Sequence, residues 1–146
     1  MGCLESKQSA GQQGKIIFLH GFPCAGKTFY TDYLNSIGWE MVDGDDKLYS
    51  KNNKVAKDFA TAVNFVYKYH KGQPYEERDK KYMINHFKEL GQRAKKMASR
   101  GKDVVISFFA PLRFLREELY KVIPEVTFIF LEVEKAVLVE RNFIRL

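Results

Sequence analysis

Apolar residues recur along this chain in two rhythms, short unbroken runs and spaced stripes, and the two alternate. Ile16 to Leu19 is a compact apolar run that ends in His20 and Gly21, which predicts a buried strand followed by a sharp turn. A helix is predicted from Lys27 to Ile37, with Phe29, Tyr33, Leu34 and Ile37 at helical spacing and Gly38 as its stop. Trp39 to Val42 reads as a second strand that runs into the acidic turn Asp43 to Asp46. Val55 to Tyr69 is helix-like, with Phe59, Ala62, Val63 and Val66 on a wide apolar face, and Gly72 to Pro74 breaks it. The clearest helix carries Met83, Phe87, Leu90, Ala94 and Met97 at intervals of 4, 3, 4 and 3 on a Lys-rich background, and Gly101 ends it. Val104 to Ile106 is a third strand, Leu112 to Val122 a helix, Val126 to Val133 a fourth strand and Lys135 to Ile144 a last helix. Strands alternating with helices predict an α/β domain: a parallel sheet of about four strands with helices on both faces.

Composition adds bounds. The chain has 146 residues, 45% of them apolar, which suits one globular domain from residue 15 to 146. Residues 1 to 14 are polar and rich in Gly, Gln and Ser, and read as a disordered tail. No apolar run approaches the roughly 20 residues that span a bilayer. Cys3 and Cys24 are the only cysteines, which excludes a disulfide framework and favours the cytosol. The net charge of +6 is uneven: Lys47 to Lys102 holds 15 Lys and Arg against 5 Asp and Glu, and the remainder is net acidic. Such a segment suits an anionic partner or is a solvated helix face.

The chemistry begins at Gly21. Gly21, Phe22, Pro23, Cys24, Ala25, Gly26, Lys27 and Thr28 match G-x-x-x-x-G-K-[ST] at every fixed position, between a predicted strand and a predicted helix. In that setting backbone N–H groups turn inward around phosphate oxygens, and the positive end of the helix adds to the attraction. Lys27 is expected to reach the outer phosphates of ATP and the Thr28 hydroxyl to ligate Mg²⁺. Cys24 reads as a small residue that fits the turn, although a thiol beside a helix N-terminus also has a lowered pKa. Asp43 lies at the end of the second strand, and in a parallel sheet that end opens on the same crevice as the loop. Carboxylates there can hold a hydrated Mg²⁺ and orient an acceptor hydroxyl.

These segments resemble the small phosphate-loop metabolite kinases, especially gluconate kinases and their shikimate kinase relatives. GFPCAGKT is similar to the family loop, and GWEMVDGDD from Gly38 to Asp46 is similar to the gluconate kinase segment G-W-x-x-x-D-A-D-D. KGQPYEERD at Lys71 to Asp79 resembles G-x-P-L-x-D-x-D-R, with Tyr75 for Leu and without the final Asp-Arg. SFFAPLRFLRE, with Pro111, Arg113 and Arg116, looks like the S-F-I-S-P-x-R-x-x-R segment of adenylylsulfate kinases, and ERNFIR at Glu140 to Arg145 looks like the lid entrance of these enzymes and of polynucleotide kinases. The resemblance implies a three-layer phosphate-loop NTPase of nucleoside monophosphate kinase-like build. It assigns Lys27 and Asp45 to catalysis, Asp43 with Thr28 to Mg²⁺, and Asp45, Asp46 and Arg113 to a small anionic substrate. It assigns Arg141 and Arg145 to the ATP phosphates. Family members continue with a lid, a fifth strand and a final helix where this chain stops at Leu146. A truncated or reduced relative is therefore expected, binding ATP but transferring its phosphoryl group poorly.

The opening MGCLESK satisfies M-G-x-x-x-[ST], with Gly2 as the myristoylation site, Ser6 in the required position and Cys3 as a palmitate acceptor. It resembles the N-terminus of Src-family kinases and implies a cytoplasmic protein anchored to the membrane face. The leading expectation is ATP-dependent phosphorylation of a small hydroxylated anion, gluconate-like or adenylylsulfate-like. A membrane-tethered ATP-binding protein with little catalysis and a polynucleotide 5′-kinase remain alternatives, and the lack of any nucleic-acid reader motif counts against the last.

Overall fold

A computed structural model of the protein describes residues 12–21, 26–44, 61, 64–110 and 112–132. Among these residues four strands form one parallel sheet: β1 (Ile16–Gly21), β2 (Glu40–Asp43), β3 (Val104–Phe108) and β4 (Thr127–Leu131), in the order β2-β3-β1-β4. Three helices connect them in sequence, α1 (Lys27–Ser36), α2 (Glu77–Ser99) and α3 (Arg113–Val122), and residues 64–70 are also helical. The α/β class and four-strand parallel sheet are as the sequence predicts.

The sheet is two-sided because alternate residues of each strand point to opposite faces. Ile16, Phe18, Val42, Val104, Ile106 and Phe108 join Met83, Phe87, Leu90 and Ala94 of α2 and Leu115 and Leu119 of α3 in one core. Leu19 and Val105 are equally buried but lie outside that core, on the face that α1 covers. Phe18 stacks on Phe87 at 6.1 Å, and Phe87 meets Phe108 at 5.5 Å, so β1, α2 and β3 share one aromatic seam. The apolar stripe predicted on Met83, Phe87, Leu90 and Ala94 is buried throughout; Met97 is only partly covered.

Several boundaries differ from the sequence reading. β1 and β3 each run two residues further, because His20 pairs with Phe108 and Gly21 with Leu131. β2 is shifted by one residue to end at Asp43, and β4 is trimmed to Thr127–Leu131. The helices α1 and α2 stop as expected at Gly38 and Gly101, whose positive φ lets the Trp39 and Lys102 amides fold back to Leu34 and Met97.

The apolar face expected on α1 is corrected. Phe29, Tyr33 and Ile37 are exposed, Leu34 is half-covered, and the buried residue is Thr31. The loop fixes where α1 begins, and a small residue lets it lie close on the sheet, so periodicity alone picks the wrong face. The Lys135 to Ile144 helix and most of the Val55 to Tyr69 helix lie outside the described residues.

Candidate functional site

All four strands run parallel, so Gly21, Asp43, Phe108 and Leu131 end on one edge of the sheet. β1 connects toward β2 and β3 toward β4, so adjacent strands send their chains in opposite directions, the arrangement that leaves a ligand crevice at the carboxyl ends. Asp43 is level with Ser107, which is level with Leu19 of β1. With β3 between them, β2 and β1 are about 10 Å apart.

The described parts of the loop have the features of a phosphate cradle. Gly26 adopts φ +98° and caps α1 without a side-chain hydrogen bond, and a Cβ placed there meets nothing within 4 Å. The first turn of α1 holds no acidic residue, so the positive end of its dipole is not offset locally. The Lys27 ammonium donates to the Gly21 carbonyl at 2.6 Å, joining the two ends of the loop. Thr28 is exposed, and its carbonyl accepts from the Thr31 hydroxyl at 3.0 Å. These groups fit a triphosphate. Thr28 and Asp43 fit a Mg²⁺ ion that takes one or two protein oxygens and completes its shell with phosphate and water. Among the described residues no cluster of three or more His, Cys, Asp or Glu could enclose a metal by itself.

Beside the loop lies a cavity of about 420 Å³ lined by His20, Gly21, His70, Phe109, Ala110, Arg116 and Phe130. Arg116 is held toward it by a 2.6 Å hydrogen bond from Nη1 to the Ala110 carbonyl. His20 packs against Phe130 at 5.1 Å and against Phe128 at 6.2 Å. Burial, then the charges of Arg116 and Lys27, push the His20 pKa down to about 4, so its ring is neutral at physiological pH. Burial and the neighbouring Arg113 lower the Arg116 pKa, partly opposed by Glu117. The Arg116 guanidinium thus enters a partly apolar recess whose neighbourhood Lys27 also makes positive, which favours an anion there.

The structure places the sequence-nominated residues unequally. Gly21 and Asp43 end their strands on the same edge of the sheet, and Gly26, Lys27 and Thr28 open α1 after β1. Arg113 does not line the cavity: its side chain is 86% exposed and pairs with Glu117 at 3.1 Å. Helix α3 turns Arg116, three residues on, to the cavity instead. Phe22, Pro23, Cys24, Ala25, Asp45, Asp46, Arg141, Arg145 and the acylation positions Gly2 and Cys3 lie outside the described residues. No sequence motif marks His20, His70, Phe109 and Phe130; they come together only when β1, β4, the loop after β3 and the helical segment 64–70 are assembled.

With this geometry, the fold is that of phosphate-loop kinases. The structure is similar to a sugar kinase from Janibacter sp. HTCC2649, with a TM-score of 0.64 at 20% identity over 89% of this chain and 66% of that one. It is similar to a gluconokinase from Sinorhizobium meliloti 1021, with a TM-score of 0.56 at 24% identity over 91% of this chain and 65% of that one. It also resembles an APS kinase from Mycobacterium tuberculosis in complex with AMPPNP and APS, at 0.58 and 16% identity over 89% and 69%. The chain spans about two thirds of the length of these proteins. No family model matches the sequence, and no curated protein matches it.

Proposed function

We propose that the protein transfers the terminal phosphoryl group of Mg-ATP to the hydroxyl of a small anionic acceptor held in the cavity beside Gly21. The observation that carries this reading is the juxtaposition of a Lys27-closed phosphate loop with a recess into which Arg116 projects. Lys27 and the amides at the start of α1 hold the phosphates; Arg116 holds the acceptor anion. Asp45 takes the hydroxyl proton as the acceptor oxygen bonds to phosphorus and the bond to the ADP oxygen breaks. Thr28 and Asp43 would hold Mg²⁺, which would supply charge neutralisation on the phosphates. His20, neutral and packed on Phe130, lines the wall without competing for the anion.

Within this activity the cavity wall favours an acceptor with a flat ring. Phe109, Phe130 and His20 give the lining an aromatic character, whereas a polyhydroxylated sugar acid needs more hydrogen-bonding partners than His20, His70 and Arg116 provide among the described lining. An adenylylsulfate-like acceptor is therefore the second reading beside a gluconate-like one. The test is ADP release from Mg-ATP over a panel containing gluconate, shikimate, adenylylsulfate and nucleoside monophosphates. Acceptor-dependent release supports the proposal, and failure of Mg-ATP to bind at all overturns it.

A further inference from the structure

The sequence marks the acidic turn after β2 as the chemical centre, but nothing in the motif says what holds that turn in place. The structure shows a seat built around its second residue, Gly44. The Gly44 amide donates to the Ser107 carbonyl at 2.8 Å, which extends the β2–β3 ladder by one bond beyond Asp43. A Cβ on Gly44 would collide with the Phe108 ring, so glycine lets the turn lie directly on that aromatic. On the far side, the Gly44 carbonyl lies 2.9 Å from Nε2 of His86. His86 sits on α2 and is 3% exposed, with its ring edge-on to Phe108 at 5.1 Å. A carbonyl oxygen can only accept, so His86 must carry a proton on Nε2 and donate it.

The position of this bond matters. Gly44 lies between Asp43, which fits Mg²⁺, and Asp45, to which the acceptor hydroxyl is assigned. The polar side chain at its carbonyl comes from α2, whose Met83, Phe87, Leu90 and Ala94 lie in the apolar core. A buried imidazole there is costly unless hydrogen-bonded, and an apolar residue would fill the same space more cheaply. We propose that His86 is a positioning residue for phosphoryl transfer: by holding the Gly44 carbonyl it fixes the end of β2, and with it Asp43, at the edge of the sheet where β1 leads into the phosphate loop. The proposal rests on the kinase reading for its consequence, and on the Gly44 contacts alone for its mechanism.

The experiment compares His86→Leu, which removes the donor at similar volume, with His86→Gln, whose side-chain amide can donate from the place of Nε2. Hydrogen–deuterium exchange over residues 40–46 is followed without any ligand, and steady-state Mg-ATP hydrolysis is measured with Mg²⁺ varied. In His86→Leu, exchange in that segment rises while β1 is unchanged. Hydrolysis falls about tenfold and needs more Mg²⁺ for half-saturation, the effect of one lost buried hydrogen bond, with ATP affinity in excess Mg²⁺ preserved. His86→Gln recovers most of both. Gly44→Ala, which forces the turn off Phe108 while leaving α2 intact, reproduces the loss of turnover and serves if His86→Leu fails to fold. Equal exchange and equal turnover in the Leu and Gln variants overturn the proposal, as does a uniform rise in exchange across the whole sheet. A wild-type protein that does not bind Mg-ATP sinks the kinase reading, while the exchange contrast still decides whether His86 anchors the turn.

Discussion

The Lys27 ammonium reaches back across the phosphate loop to donate to the carbonyl of Gly21 at 2.6 Å. This one bond ties the first residue of α1 to the last residue of β1, so the loop is closed by the same charge that is assigned to phosphate. The half-exposed side chain contributes little to the core.

It follows that Lys27→Ala weakens Mg-ATP binding roughly 10- to 100-fold, the worth of one or two charge-assisted hydrogen bonds, with little change in thermal stability. Calorimetric titration with ATP beside a melting curve checks both halves. Equal ATP affinity in the variant and the wild type would exclude the loop from nucleotide binding.

Asp45→Asn separates chemistry from binding. An amide cannot accept the hydroxyl proton, so acceptor phosphorylation is expected to fall about 100-fold while ATP affinity stays within about twofold. Single-turnover transfer measured against equilibrium ATP binding gives the answer. A parallel fall in both would make Asp45 a metal or structural group.

The two arginines of α3 are expected to behave differently. Arg116 is pinned toward the cavity by Ala110, whereas Arg113 is exposed and engaged by Glu117. Arg116→Ala should raise the acceptor KM by roughly 10- to 100-fold through the loss of a charge-assisted pair, and Arg113→Ala should change it little. The reverse order of effects would restore Arg113 as the anion partner.

His20 gives the protein an acid-side sensitivity. Its folded pKa of about 4 lies below the ordinary 6.5, so between those values the unfolded chain binds more protons than the folded one. Stability then rises with pH in that window: the His20 contribution is fully present above about 6.5 and is lost as pH falls toward 4. His20→Gln, which cannot protonate there, should flatten that part of the profile of melting temperature against pH between 7 and 4.5. An unchanged slope would show that other groups set it.

What could be read from the sequence was what is local. The loop is a contiguous eight-residue pattern whose function depends on backbone turns and one lysine, so strand, loop and helix declare each other. The long helix α2 was equally plain, because a stripe of Met83, Phe87, Leu90 and Ala94 has one burial solution. The alternation of strands and helices likewise settled the parallel sheet. Tertiary structure decided everything that depends on which side of an element faces which neighbour. Phe29, Tyr33 and Ile37 form a regular helical stripe, yet α1 lies on Thr31, because the phosphate loop dictates how that helix enters the sheet. Arg113 and Arg116 occupy similar places in one motif, and only the packing of Leu115 and Leu119 against the core turns Arg116 inward and leaves Arg113 in water. His20, Phe109 and Phe130 come from three separate segments, and His86 meets Gly44 across 42 positions of chain. Such contacts arise from strand order and helix docking, which are set by the burial of the whole core and leave no periodic trace in any one segment.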